Sequence, residues 1–395
     1  MLLINRKPSI IVLSLAAAAG VTGLNLISPC LTLIREDFDI SANKAQLLIT
    51  AYLVTISIGQ IFWGVLSEKL GRRPVILIGA FLFLCGSFFC ALDLIFSNLL
   101  IARVIQAIGA SACFTISRVM VTDSFPKKAA AGKLAFLLGV MAIFPILSAS
   151  SGGILAESLG WHFNFFIMFI FGIIILIGNF FFSPETIKYK QENLQVTRVL
   201  KSFKSLFSNK IFVAYTIVTS MQAASFFSMA GFMPYQYQRL GASPSEFGFW
   251  FSLVSLGYIS GNILSNRLSS KLALEKIPLI GCGFSFLSIM GMFLCLLPLF
   301  DKPYVLASIT FFFGFGNGLI IANAVVLALS SIPNVNTGSA NGLMGATQMA
   351  AGGILGSAII FFGGDQNFQI GVFALLIASV ISMLNCFFAY VLKAS

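Results

Sequence analysis

A single histidine, three tryptophans and 13 acidic residues are all that a chain of 395 residues contains of those types. With one imidazole, His162, there is no HExxH, no Ser/His set and no histidine-rich metal site. The seven cysteines (Cys30, Cys85, Cys90, Cys113, Cys282, Cys295 and Cys386) stand in apolar stretches without metal-ligand spacing and read as buried small hydrophobes. Charge is equally scarce, at 9% of residues against about 25% in ordinary soluble proteins. In its place come 58% hydrophobic residues, 42 phenylalanines and a mean hydropathy of +0.97. No soluble fold hides that much apolar surface behind so few charges. At about 20 residues per transmembrane helix, a dozen spans fit and leave no room for a soluble catalytic domain. The arithmetic excludes a soluble enzyme, a secreted disulfide scaffold and, despite a net charge of +11, a nucleic-acid binder.

Apolar runs long enough to cross a bilayer fall at about 9–34, 44–66, 75–93, 98–122, 133–157 and 161–182, then at about 211–238, 245–266, 277–299, 303–329, 338–362 and 367–392. The chain is therefore expected to be an all-α membrane protein with twelve transmembrane helices. Its first run, after Arg6 and Lys7, reads as a span that stays attached rather than a cleaved signal. The connections on one side of this layout hold most of the 24 Lys and Arg, whereas on the other side acids such as Glu36, Asp37, Asp93, Glu157, Glu246 and Asp365 outnumber bases. By the positive-inside rule both termini face the cytoplasm, in a bacterial inner membrane. Residues 183–209 form the longest polar stretch and read as a cytoplasmic linker between halves 1–182 and 210–395. Within it, Val196, Val199, Leu200, Phe203, Leu206 and Phe207 have helical spacing, which suits either a surface amphipathic helix or a solvated basic connector.

An internal repeat supports the division. Gly59–Ser67 with Lys69 and Arg73 aligns with the segment from Gly257, where Ser265, Arg267 and Lys271 take matching places. Ser151-Gly-Gly-Ile-Leu155 recurs as Ala351-Gly-Gly-Ile-Leu355. Copies with the same direction of topology imply two pseudo-symmetric six-helix bundles related by an axis along the membrane normal, able to enclose a central cavity.

The most specific motif joins the second and third spans, from Gly64 through Glu68, Gly71, Arg72 and Arg73 to Pro74. Gly64 is expected to let helices approach closely and Gly71 to support the turn. Arg72 and Arg73 are expected to pair with Glu68 and Asp123 as a latch, making Gly64, Glu68, Gly71, Arg72, Arg73 and Asp123 the expected gating residues. This loop closely resembles the signature of the major facilitator superfamily. Arg103, Gln106 and Gly109 match its fourth-helix motif, and Pro145, Gly152 and Gly153 its antiporter fifth-helix motif. Gly160-Trp161, Ser183-Pro-Glu-Thr186 and the stretch from Ser117-Arg118 to Asp123 are similar to the bicyclomycin-resistance type of multidrug:proton antiporter.

The resemblance implies the major facilitator fold, no cofactor or metal, and a monomer in the lipid bilayer. It implies export of a drug-like small-molecule substrate by alternating access in exchange for protons. It also places the first, fourth, seventh and tenth helices around the cavity, which selects Asn25, Arg118, Gln222, Tyr235, Asn317 and Asn323 as substrate-cavity residues, interhelical hydrogen bonding being the alternative for each. Arg103, Gln106, Gly109, Pro145, Gly152 and Gly153 are expected to serve coupling or structure. The chain departs from the subgroup at Asn25, where an Asp is usual, so the customary proton carrier is missing. His162, at the outer mouth, is an alternative titratable group. Rival readings are a dedicated exporter of a natural metabolite such as a siderophore, a transport-dead sensor or assembly factor that keeps the fold, and a membrane-embedded enzyme. For the last, paired intramembrane carboxylates are absent from the sequence.

Overall fold

Inside a bilayer an unbonded backbone group costs several kcal/mol, so long apolar runs satisfy their own N–H and C=O groups as helices. The computed structural model describes residues 7–92, 95–187, 204–332 and 337–394. Among them, twelve helices are long and apolar enough to span a membrane. They are α1 (Ile10–Asp37), α2 (Ala42–Leu70), α3 (Arg72–Cys90), α4 (Phe96–Ser124), α5 (Lys127–Leu159) and α6 (His162–Phe182), then α7 (Lys210–Arg239), α8 (Pro244–Leu268), α9 (Lys276–Leu296), α10 (Pro303–Ser330), α11 (Thr337–Phe361) and α12 (Phe368–Ala394). The helices run a few residues beyond the apolar stretches, α5 starting at Lys127 because its polar first turn is already helical. The chain is an integral multi-pass membrane protein. Its outer surface carries exposed large side chains such as Phe181, Phe361 and Leu384, as lipid contact requires.

The face where α1 begins and α12 ends is called the terminal face below, and the opposite one the far face. Within α1–α6, α4 packs on α1, α2 and α3, α1 on α5 and α6, and α3 on α6. Within α7–α12, α10 packs on α7, α8 and α9, and α7 on α11 and α12. Two antiparallel seams join the sets, α5 on α8 and α2 on α11, with the far end of α1 against α7 and α8. Of the linker, residues 188–203 lie outside the described residues, including Val196, Val199, Leu200 and Phe203. Residues 204–208 are helical, and Leu206 is buried in a cluster with Phe212 and Ile332. Asp93 also lies outside the described residues.

Proline perturbs two helices that meet near the far face. Pro29 breaks α1, which passes through a 3-10 turn at Ser28–Cys30, and Pro234 sits inside α7. A proline leaves the carbonyl four residues earlier without its usual donor. The Ala230 carbonyl, freed by Pro234, accepts the Ser28 hydroxyl of α1 at 2.5 Å. One break thus satisfies the other across the seam.

At the terminal face Lys393, near the end of α12, donates to Glu275 at the start of α9. That hydrogen bond holds the Glu275 carboxyl below the usual carboxylate range. The pair's stabilisation is present above the unfolded carboxyl pKa and is lost as pH falls through the lowered folded value. Because the Lys393 side chain is 44% exposed, the effect is small. Glu275→Gln is expected to cost under about 1 kcal/mol at neutral pH. The difference from the parent should vanish in acid melts.

Candidate functional site

Three mid-membrane amides come from α1, α7 and α10. Asn25 donates to the Val21 carbonyl of its own helix at 2.8 Å, and its Oδ1 is buried without a hydrogen-bond partner in the chain. Gln222 donates to Ser382 of α12 at 3.0 Å, and Asn317 donates to the Gln222 carbonyl at 3.4 Å. The side-chain oxygens of Gln222 and Asn317 are likewise buried and unpartnered. The middle of the molecule therefore presents acceptor oxygens rather than acids.

The other expected cavity residues lie elsewhere. Asn323 faces α8, donating to Ser265 at 2.7 Å, so its amide is spent between helices of one set. Tyr235 sits near the far face, its ring 5.6 Å from the Arg35 guanidinium and its hydroxyl buried without a partner. Arg118 is half-buried on α4, its guanidinium 3.6 Å from the Phe114 ring centroid.

Arg103 is fully buried and saturated. It reaches the Gly23 carbonyl at 3.1 Å, the Leu48 carbonyl at 3.3 Å and Gln106 Oε1 at 2.5 Å, with its guanidinium 4.1 Å from the Tyr52 ring. Gln106 in turn donates to Ser87 of α3 at 2.7 Å. Gly23 lies in the last turn of the first α1 segment, where Ile27 N–H has already turned to Leu24. A cation there caps a helix C-terminus that the Pro29 break leaves open. Gly109 brings α4 onto α3 so closely that a Cβ would lie 2.1 Å from the Phe83 nitrogen.

At the terminal face Arg72 Nε donates to Asp123 at 3.0 Å and its Nη1 to Ser67 at 2.5 Å. The expected pairing with Glu68 does not form among the described residues. Glu185 takes the acid's place instead. Its two oxygens accept the backbone N–H groups of Arg72 (2.9 Å) and Arg73 (3.2 Å), the first donors of α3. A carboxylate on a helix N-terminus satisfies orphan donors and the macrodipole together. Arg73 donates from Nη2 to the Phe180 carbonyl of α6 at 2.9 Å. Gly71, at φ 106°, makes the turn that lets α3 start immediately. Glu185→Ala is expected to lower stability by about 1–2 kcal/mol, and Glu185→Gln by less, in thermal melts of the purified protein. Equal melting points for all three would remove the cap.

The seams decide how the two sets meet. Polar contacts across them run from mid-membrane to the far face: Ser57 to the Ala346 carbonyl at 2.8 Å, Thr50 with Ser357 at 2.7 Å, and Gln238 to Glu36 at 2.7 Å. Arg35 and Asp365 stand 3.9 Å apart, and Glu157 of α5 accepts from both the N–H (3.2 Å) and the hydroxyl of Ser245 on α8. Glycines permit the approach. A Cβ at Gly153 would lie 2.2 Å from the Pro244 carbonyl, and one at Gly248 2.2 Å from the Ala149 carbonyl. The repeated Gly-Gly pairs act alike. Gly152 abuts Leu26 of α1 and Gly153 abuts α8, while Gly352 abuts Phe227 of α7 and Gly353 abuts Thr50 of α2.

Toward the terminal face the fit is lost. Gly345 of α11 still rests on Gln60, but one turn further on a Cβ at Gly64 or Gly342 would meet nothing within 4 Å. The close approach expected at Gly64 is therefore absent in this structure, because α2 and α11 are sealed only from Gln60 outward. Pro145 lies inside α5, the helix that forms the other seam with α8.

Two six-helix sets therefore meet along two antiparallel seams, and the α2–α11 seam loses its close fit beyond Gln60. A family profile described as Major Facilitator Superfamily matches residues 13–357. The chain belongs to that superfamily. This transporter is 27% identical to the "Bicyclomycin resistance protein homolog" of Haemophilus influenzae, over 85% of each chain. It is 26% identical to the "Multidrug resistance protein MdtM" of Salmonella typhimurium, covering 88% of this chain and 84% of the other. The crystal structure of a D-xylose–proton symporter superposes with a TM-score of 0.77 at 18% identity, over 96% of both chains, a likeness of fold. The protein is thus a transporter and not an enzyme.

Ser28, Glu157 and Glu185 were not singled out from the sequence as site residues. Ser28 could have been found, since it adjoins Pro29 and matches the register of the carbonyl that Pro234 frees. Glu185 lies more than 100 residues from its partners, and the Ser183-Pro-Glu-Thr186 stretch that contains it does not say which backbone it meets.

Proposed function

We propose that this transporter exports a small, drug-like organic compound from the cytoplasm of a bacterium by alternating access. Residues 1–182 and 210–395 are the two bodies that rock, with 183–209 connecting them, and the protein works as a monomer. The observation that carries the reading is the asymmetry of the seams, tight from Gln60 to the far face and open at Gly64 and Gly342. The basic terminal face is the cytoplasmic one. In this orientation the loosened end of the α2–α11 seam faces the cytoplasm, the side from which an exporter loads. The names of the relatives support drug-like cargo.

No nucleotide-binding loop occurs in the sequence, so an ion gradient supplies the energy, with protons as the coupling ion. Asn25 has no proton to exchange. The acids that touch the opposite half, Glu36, Glu157 and Asp365, stand at the far face. In this reading far-face closure depends on them, because each makes a contact that holds that face shut.

The test is accumulation of a panel of fluorescent compounds, of both charges, in cells with and without the gene. Lower accumulation that an uncoupler reverses is expected. Unchanged accumulation of the whole panel, with unchanged growth on antibiotics, would contradict export. Uncoupler-resistant efflux would remove protons and keep the exporter.

A further inference from the structure

The charges at membrane depth are of one sign. Among the described residues, apart from exposed Lys133 in the first turns of α5, Arg103 and Arg118 are the charged side chains lying more than three residues inside the ends of the twelve helices, and no carboxylate lies as deep. Arg103 has used its donors on Gly23, Leu48 and Gln106. Arg118 has not. Its Nε is buried without a hydrogen-bond partner, and no carboxylate among the described residues lies within ion-pair distance. Asp123, the nearest acid on α4, is taken by Arg72 and by the Thr186 hydroxyl.

A cation held in the membrane without a counter-charge is costly and is kept where function needs it. The common escape is for an arginine near a helix end to reach out to the lipid headgroups. Arg118 does the reverse. Its guanidinium lies over Phe114, one turn deeper, rather than extending toward the terminal face. It sits about 9 Å along the axis from the end of α4, on the side of the molecule where the seams are open. Thr115, one turn back from Arg118, has a buried hydroxyl that also lacks a partner. The residue as a whole is half-buried, so a ligand reaches its donors as the guanidinium shifts off Phe114.

We infer that Arg118, with Phe114 and Thr115, is the subsite for the anionic group of the transported compound, which is an organic anion with an aromatic or apolar body. The inference rests on the exporter reading and adds the charge of the cargo to it. A guanidinium binds a carboxylate or sulfonate through two parallel hydrogen bonds, a hydroxyl beside it adds a donor, and a phenyl face packs the apolar body. An organic cation would enter the same space against an uncompensated positive charge and find no acid to receive it. Outward movement of an anion is also assisted by an interior-negative membrane potential.

Three matched probes test this on the purified full-length protein: 2-naphthalenesulfonate, neutral 2-naphthamide and 2-naphthylmethylammonium. Binding is read by calorimetry, and transport of the sulfonate by its accumulation in cells. The sulfonate is expected to bind at least about tenfold more tightly than the ammonium compound. Arg118→Gln should erase that preference while leaving naphthamide affinity and melting temperature near those of the parent, and Arg118→Lys should keep part of it. The inference is overturned if the ammonium compound binds as tightly as the sulfonate, if none of the probes binds, or if Arg118→Gln leaves sulfonate affinity unchanged. The first two results need no variant, so a folding defect does not shield the idea. Charge-selective binding with no difference in cellular sulfonate accumulation would leave the subsite standing and sink the exporter reading instead.

Discussion

Arg103→Met is expected to yield little folded protein, and what folds should melt well below the parent. Methionine fills much of the space and spares the cost of burying a charge, so simple loss of volume is not the reason. The loss lies in the acceptors left behind. The carbonyls of Gly23 and Leu48 and the Gln106 side chain all lose their donor. A buried polar group without a partner costs about 1–3 kcal/mol, and three of them outweigh the desolvation relieved. The Gly23 carbonyl matters most, because the α1 break beside it was tolerable only with a cap from another helix. Arg103→Lys keeps the charge with a single point donor and should fall between the two. A melting temperature for Arg103→Met within a degree or two of the parent would remove Arg103 as the pin joining α1, α2 and α4.

Gly153→Val and Gly64→Val are expected to push the molecule in opposite directions. At Gly153 a Cβ would meet the Pro244 carbonyl at 2.2 Å, a backbone atom that cannot step aside without parting α5 from α8. Overpacking of this kind costs about 1–3 kcal/mol. Here the cost falls only on the arrangement with the far face shut. The population should shift toward far-face opening by about tenfold for each 1.4 kcal/mol. At Gly64 the added atoms meet open space, so folding and melting should be normal. The clash arises only when α2 and α11 close at the terminal face, with Gly342 opposite. Gly64→Val should therefore arrest transport in the state seen here, and Gly342→Val should behave like it. Gly152→Val is the control, because its clash is with the Leu26 carbonyl inside one six-helix set and should destabilise every state. Alkylation rates of single cysteines at the two faces read the shift. Parallel changes in Gly153→Val and Gly64→Val would contradict the seam account.

Much of this architecture can be read from the sequence because a bilayer imposes its own length and polarity. The twelve spans, the turn at Gly71 and the Arg72–Asp123 contact follow from apolar run length, left-handed glycine geometry and a short motif. The repeated Gly-Gly pairs read as an internal duplication, and their atoms show one purpose for both copies. Direction is harder to read. Asn317 and Asn323 are both polar residues on α10, yet one meets Gln222 at the centre and the other turns to Ser265. A membrane helix is apolar on the outside and mixed within, so a polar residue announces that it faces protein without saying which protein surface. Tyr235 is a second case, lying against Arg35 near the far face. Glu185 and Ser28 were illegible for a different reason. Each satisfies a backbone group of a remote segment, and backbone groups leave no mark on composition.

The central claim is that the two sets of six helices rock about the shared centre, so that one face closes as the other opens. Distances between paired spin labels test it most directly, with one pair at Lys44 and Gln366 on the far face and another at Lys69 and Lys271 on the terminal face, all four exposed. In lipid nanodiscs the account predicts two populations for each pair, with Gly153→Val lengthening the far-face distance and shortening the terminal-face one. A single population for both pairs, unmoved by Gly153→Val and by Gly64→Val, would contradict it.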